Sequence, residues 1–185
     1  MSEARALSFE NLAEELSPPL LGYLRRMVGH SADAEDLLQE TLIRISRGLP
    51  RFEQRSKART WAYRIATNVA VDYLRKTGKG RFVEFVDSHE PVDFDEEDRL
   101  VLDEMNDCIR GVIDKLPPDY RAALILFNLQ GKSVAETAKI VGISVPAAKI
   151  RIYRARERLR EALNRTCDLY RTTGGDLRCD RKQPD

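Results

Sequence analysis

Cysteine is scarce in this 185-residue chain: Cys108, Cys167 and Cys179 make an odd trio, which argues against a disulfide framework and for reduced thiols. Histidine is scarcer still, His30 and His89 alone, so no clustered metal-ligand set of the usual kind can be assembled. No apolar run is long enough to cross a bilayer, and the start MSEARALSFENL is not a signal peptide. Phosphate-binding glycine loops and nucleophile motifs are also missing. These absences predict a cytoplasmic, reduced protein with no catalytic residue, no metal, no cofactor and no membrane insertion.

Net charge is nearly absent too, at +1, but the balance hides segregation. Ten basic residues lie between Arg47 and Arg81, against only Glu53 and Asp72. From Glu84 to Asp107 the sign reverses, with Arg99 as the sole basic residue, and between Lys132 and Arg165 basic residues dominate again. Two local patches of this kind attract a polyanion whatever the total charge.

What the chain has in abundance is helical periodicity. Apolar residues recur three and four apart in 8–28, 32–46, 61–74, 99–113, 119–129, 134–141 and 147–163. No segment alternates well enough to name a strand. Pro18-Pro19, Gly29, Pro50, Gly78, Gly80, Pro117-Pro118, Gly131 and Gly142 punctuate the pattern. The break rich in glycine and acid, residues 79–97, predicts an extended linker. The expected fold class is therefore all-α: two small helical domains, 8–78 and 98–165, joined by that acidic flexible linker, with a short, loosely ordered tail at 166–185.

The sharpest local signal is GKSVAETAKIVGISVPAAKIRIYRARERLREAL. Ser133 and Glu136 spell a capping box, Gly142 suits a left-handed helix end, and Ser144 can cap a second helix that tolerates Pro146 in its first turn. Short helix, glycine turn, longer helix is the pattern of a helix-turn-helix. The second helix carries Lys149, Arg151, Arg154, Arg156, Arg158 and Arg160, which makes DNA the favoured partner over a merely solvated basic face. Most of these arginines would sit on phosphates. Base readers must come from the first two turns: Ser144, Val145, Ala147, Ala148, Lys149 and Arg151.

DAEDLLQETL (33–42), TWAYRIATNVAVDYLRK (60–76) and KIRIYRARERL (149–159) occur in that order. Together with the acidic segment between them, they make the chain resemble the extracytoplasmic-function group of bacterial sigma factors. The resemblance implies a transcription initiation factor that binds core RNA polymerase at its clamp and flap and directs it to promoter DNA. The N-terminal domain would meet the −10 element and assist opening there, and the C-terminal domain the −35 element. It implies that Thr60–Lys76 faces −10 DNA, with an extruded base read in the loop 50–60. Holding an unpaired strand needs cations and stacking surfaces. Arg51, Arg55, Lys57, Arg59, Arg64, Arg75 and Lys76 offer the charge, and Asn68 an amide for a base edge. Phe52, Trp61 and Tyr63 offer stacking or wedge surfaces, and Trp61 and Tyr63 are, equally, core anchors.

For the acidic helix the resemblance names the polymerase clamp as partner of Asp33, Asp36, Leu37, Gln39 and Glu40. The alternatives are a solvated face or metal-binding carboxylates, the latter short of a Glu-x-x-His set. An anti-sigma partner is implied as well. The chain departs from many relatives at Pro146, Ala147 and Ala148, where glycine, threonine and valine are usual, so a borrowed −35 preference does not transfer. Two other readings fit parts of the chain: a sigma-like decoy that occupies an anti-sigma factor, and a stand-alone helix-turn-helix regulator.

Overall fold

The computed structural model describes residues 8–53, 57–78, 107–171 and 177–181. The predicted linker 79–97 and the start of the predicted 99–113 helix lie outside them, as does Arg55. Within them the chain is helical, apart from one hairpin. Helix α1 (Phe9–Val28) starts where the Ser8 hydroxyl accepts the Asn11 amide at 3.2 Å, and ends at Gly29, left-handed at φ 76°. It buries Leu12, Leu16, Leu20, Tyr23, Leu24 and Met27 on one stripe. Pro18 and Pro19 lie inside this helix rather than at its edge. The Ser17 hydroxyl donates to the Ala13 carbonyl at 2.6 Å beside them, and burial of Leu16 and Leu20 on either side offsets the lost backbone bonds.

Helix α2 (Ser31–Gly48) and helix α3 (Ala58–Lys76) complete an N-terminal three-helix unit. Its centre is polar where it must be: the Tyr23 hydroxyl lies 2.9 Å from the Thr67 hydroxyl, and Thr67 donates to the Tyr63 carbonyl at 2.7 Å. Burial pushes the Tyr23 phenol well above its usual range, so it stays a neutral partner.

The C-terminal unit holds α4 (Asp107–Ile113), α5 (Pro118–Leu124), α6 (Val134–Val141) and α7 (Val145–Thr166). Pro118 takes the first turn of α5, where no amide is missed. Helix α5 runs on into a π-helical stretch, Ile125–Leu129, closed by the Gln130 amide on the Ile125 carbonyl at 2.9 Å. One buried apolar cluster runs from Leu12 through Leu74 to Ile109 and Leu163, so the two units share a core.

The tail departs from expectation. Strands β1 (Cys167–Arg171) and β2 (Leu177–Arg181) pair antiparallel, with Cys167 opposite Arg181 and Cys179 opposite Leu169. Two short runs separated by residues 172–176, which include Gly174-Gly175, are a hairpin signal that helical periodicity elsewhere overshadows.

Candidate nucleic-acid and polymerase faces

Local chemistry builds the helix-turn-helix. The Ser133 hydroxyl accepts the Glu136 amide at 3.1 Å while the Ser133 amide donates to the Glu136 carboxylate, also at 3.1 Å. That backbone bond holds the Glu136 carboxyl below its usual range, against the burial that would raise it. Gly142 takes φ 76°, and the amides of Gly142 and Ile143 both reach the Ala138 carbonyl. Ser144 then caps α7 by accepting the Ala147 amide at 3.3 Å.

Helix α7 has a clear inside and outside. Ala148 and Ile152 pack on Ala123, Phe127, Val134 and Ala138, and Ala155, Leu159 and Leu163 continue the stripe. This corrects two sequence expectations. Ala148 is fully buried and cannot touch a base, and Arg156 is only 5% exposed, too deep to coat a phosphate. Both lie on the inner stripe, four residues from Ile152. Beside that stripe Val145, Lys149 and Tyr153 follow one another at four-residue spacing, the first and last 42% and 36% exposed and Lys149 half-buried. Tyr153 was missed by reading charge alone; its place four residues after Lys149 was the available signal. Ser144 is exposed, and Ala147 and Arg154 are half-buried. The Arg151 guanidinium lies over the Tyr120 ring, 5.6 Å from its centroid, so it leans toward α5.

Helix α3 sets its polar face as the sequence indicated. Arg64, Asn68, Asp72, Arg75 and Lys76 are exposed, while Ala66, Val69 and Leu74 are buried. Arg51, Lys57 and Arg59 are exposed at its approach. The aromatic alternatives separate here. Tyr63 is buried at 1% exposure, a core anchor. Trp61 is half-buried and stacked on Phe52, centroids 4.8 Å apart, and a Cβ at Gly48 would stand only 2.8 Å from its ring. Glycine at 48 is what lets the indole approach α2 this closely.

On α2 the outward face is Asp36, Gln39 and Ile43, the last 45% exposed. Ile43 is a large apolar side chain left facing solvent beside polar neighbours, and sequence reading passed over it. Leu37 is a further correction: at 8% exposure it belongs to the core, one residue out of phase with Asp36. Asp33 and Glu40 are half-buried, and Glu40 is paired to Arg44 at 2.8 Å. Glu35 pairs with Arg25 at 3.2 Å. Among the described residues no three His, Cys, Asp or Glu side chains converge, and no helix is long and apolar enough to cross a membrane.

A helix-turn-helix unit packed on a three-helix unit with a cationic, amide-bearing face defines a two-part, helical DNA-binding protein. Comparison sharpens the class. The Sigma-70 region 2 family model matches residues 12–80, and the Sigma-70, region 4 model matches residues 106–159. RNA polymerase sigma factor SigZ of Bacillus subtilis is 31% identical over 175 residues, 92% of this chain and 96% of the relative. ECF RNA polymerase sigma factor SigW of the same organism is 34% identical over 148 residues, 75% of this chain and 79% of the relative. Among solved structures, the sigma factor RpoE in complex with the anti-sigma factor NepR from Bartonella quintana is similar. It has a TM-score of 0.62 at 28% identity, covering 84% of this chain and 96% of that one. The chain belongs to the extracytoplasmic-function RNA polymerase sigma factors, transcription initiation factors that direct promoter-specific transcription.

Proposed function

We propose a division of labour within this sigma factor. Arg51, Lys57, Arg59, Arg64, Asn68, Arg75 and Lys76 meet the −10 element. The outer row of α7, Val145, Lys149 and Tyr153, enters the −35 major groove, with Arg154 and Arg158 toward phosphates. Asp36, Gln39 and Ile43 on α2 meet the clamp of core polymerase. The observation that carries this is the phase of α7. Its buried stripe presses the helix-turn-helix together, which leaves Val145 and Tyr153 exposed and Lys149 half-buried in a row beside that stripe, about 100° around the helix from Ala148 and Ile152. A helix so presented reads base edges from its first turns while cations hold the backbone.

The protein works in the cytoplasm as a non-catalytic factor, and an anti-sigma protein restrains it. Support for the latter is that a similar sigma factor, RpoE, has been solved with the anti-sigma factor NepR bound. The test is reconstituted transcription with bacterial core polymerase on a fragmented library of the source genome, sequencing the new RNA starts. Discrete starts sharing two upstream elements are expected. Binding to core without any start would favour the decoy reading, and failure to bind core would overturn the division.

A further inference from the structure

The first two turns of α7 hold little that can exchange hydrogen bonds with a base. The Ser144 oxygen already accepts the Ala147 amide at 3.3 Å. Pro146 has no amide to offer, Ala148 is fully buried, and Arg151 leans over the Tyr120 ring. From 144 to 156 there is no asparagine, glutamine, aspartate or glutamate. The bidentate amide that selects adenine and the carboxylate that selects cytosine therefore have no counterpart here. Lys149, a compact point charge, serves guanine edges and phosphates alike.

What the helix does present is apolar. Pro146 and Ile150 both fall about 160° around the helix from the buried Ala148, with Tyr153 one turn further along the same side. Pro146 and Tyr153 are exposed, Ile150 is half-buried, and Val145 stands at the start of the row at 42% exposure. From Pro146 to Tyr153 the row is about 10 Å long at ~1.5 Å per residue, the height of about three base pairs at ~3.4 Å each. Lys149 flanks it on one side, Arg154 and Arg158 on the other. Packing does not hide it. Helix α3 meets α5 and α6, where Asp119, Ala122 and Val141 wall the cleft of about 380 Å³ that holds Asn68, while Val145, Pro146 and Tyr153 stay exposed.

An apolar row between cations suits one feature of the major groove, the thymine 5-methyl group. Resting on the −35 reading of α7, we infer that Val145, Pro146 and Ile150 select the upstream element by the methyl groups of thymines, on either strand, within about three base pairs. Lys149 and the flanking arginines hold phosphates beside them. The flanking cations favour DNA over a protein partner, whose contact surfaces are depleted in lysine.

The test uses holoenzyme, assembled from the full chain and bacterial core polymerase, on a synthetic copy of a promoter recovered by the transcription experiment. Replacing a thymine of the upstream element by uracil removes one methyl and leaves every hydrogen-bonding edge intact. At the contacted thymines this should weaken promoter binding about fourfold per methyl, the loss of one buried apolar carbon. Changing a contacted thymine·adenine pair to 5-methylcytosine·guanine should bind about fourfold tighter than cytosine·guanine at the same place. Ile150→Ala should erase the preference for thymine over uracil at one contacted position. Lost packing alone would not do that, because poor folding lowers both affinities together. Val145→Ala, at an exposed position, should narrow the same preference if Ile150→Ala folds poorly. Equal affinity of the wild-type holoenzyme for thymine and uracil elements, or an upstream element without thymine on either strand, overturns the inference. So does a variant that loses core polymerase and keeps the methyl preference, which gives the row to a protein partner. A promoter whose upstream element can be scrambled without effect overturns the −35 reading itself.

Discussion

Replacing Arg121 by methionine tests how the two units are held around a buried cation. Its side chain is 1% exposed. The guanidinium donates to the Met27 carbonyl at 2.7 Å, to the Leu116 carbonyl at 3.4 Å and to the Asp114 carbonyl. The receiving carbonyls end α1 and follow α4, where helix carbonyls lack partners and the dipole favours a positive charge. The Asp114 carboxylate, 3.4 Å away but 40% exposed, adds little. Burial lowers the pKa of the guanidinium, Asp114 opposing it, and its Nε finds no acceptor among the described residues. Two strong charge-assisted bonds at ~1.5–3 kcal/mol each, less the desolvation that methionine relieves, leave a net loss of about 3 kcal/mol. For a protein of this length the melting temperature should fall by ~6–12 °C, read by circular dichroism. Arg121→Lys should recover only part, having no planar fork to span three carbonyls. A methionine variant as stable as wild type would refute the reasoning, since it would mean the carbonyls do not need the arginine.

Lys149 and Arg156 sit seven residues apart on α7 but should fail differently. Lys149→Ala should reduce the slope of log affinity against log salt for −35 duplex by ~0.9, with stability unchanged to within ~0.5 kcal/mol. Arg156→Ala should leave that slope alone and cost ~2 kcal/mol in a denaturant titration, through lost packing; the reverse pattern would overturn the phase assigned to α7. Ile43→Glu and Asp36→Arg should each weaken association with core polymerase at least tenfold in a pull-down titration without lowering the melting temperature, and unchanged affinity in both would remove α2 from the clamp contact. Ser133→Ala should cost about 1 kcal/mol of stability at neutral pH. Because the Glu136 carboxyl is held down in the folded state, its contribution is complete above the ordinary carboxylate range and disappears as pH falls through the lowered value. Glu136→Gln should therefore flatten the acid limb of a stability–pH curve, and an unaltered limb would count against it.

The parts of the fold that were legible in sequence are those decided within a few residues. Ser133, Glu136 and Gly142 announce α6 because their bonds span three or four positions, and each bond is present. The polar face of α3 was legible for a similar reason: Arg64, Asn68, Asp72 and Arg75 recur at helical spacing against a plainly apolar reverse side. Helix α7 was harder. Basic residues occupy so many of its positions that charge alone conceals the phase, and only the small alanines at 148 and 155 mark where another helix approaches. Leu37 was assigned to the polymerase clamp by resemblance, though Ala34, Leu37, Thr41 and Ile45 form the inward stripe of α2.

What stayed hidden is what depends on distance along the chain. Tyr63 and Gln130 are 67 residues apart, and Arg121 and Met27 are 94 apart; no periodicity pairs them. An arginine between Tyr120 and Ala122 reads as a surface residue until two helix ends are seen to converge on it. A tyrosine at a helix start in a basic segment reads as a base platform until an amide from another unit is found on its hydroxyl. In both cases the side chain has a functional appearance in sequence and an architectural partner in space. That contrast gives a physical reason to look for function at Lys149, Tyr153, Asn68 and Ile43. Their backbone is positioned by buried neighbours, while their own polar or apolar groups face outward or into the cleft, where a change of partner costs the fold least.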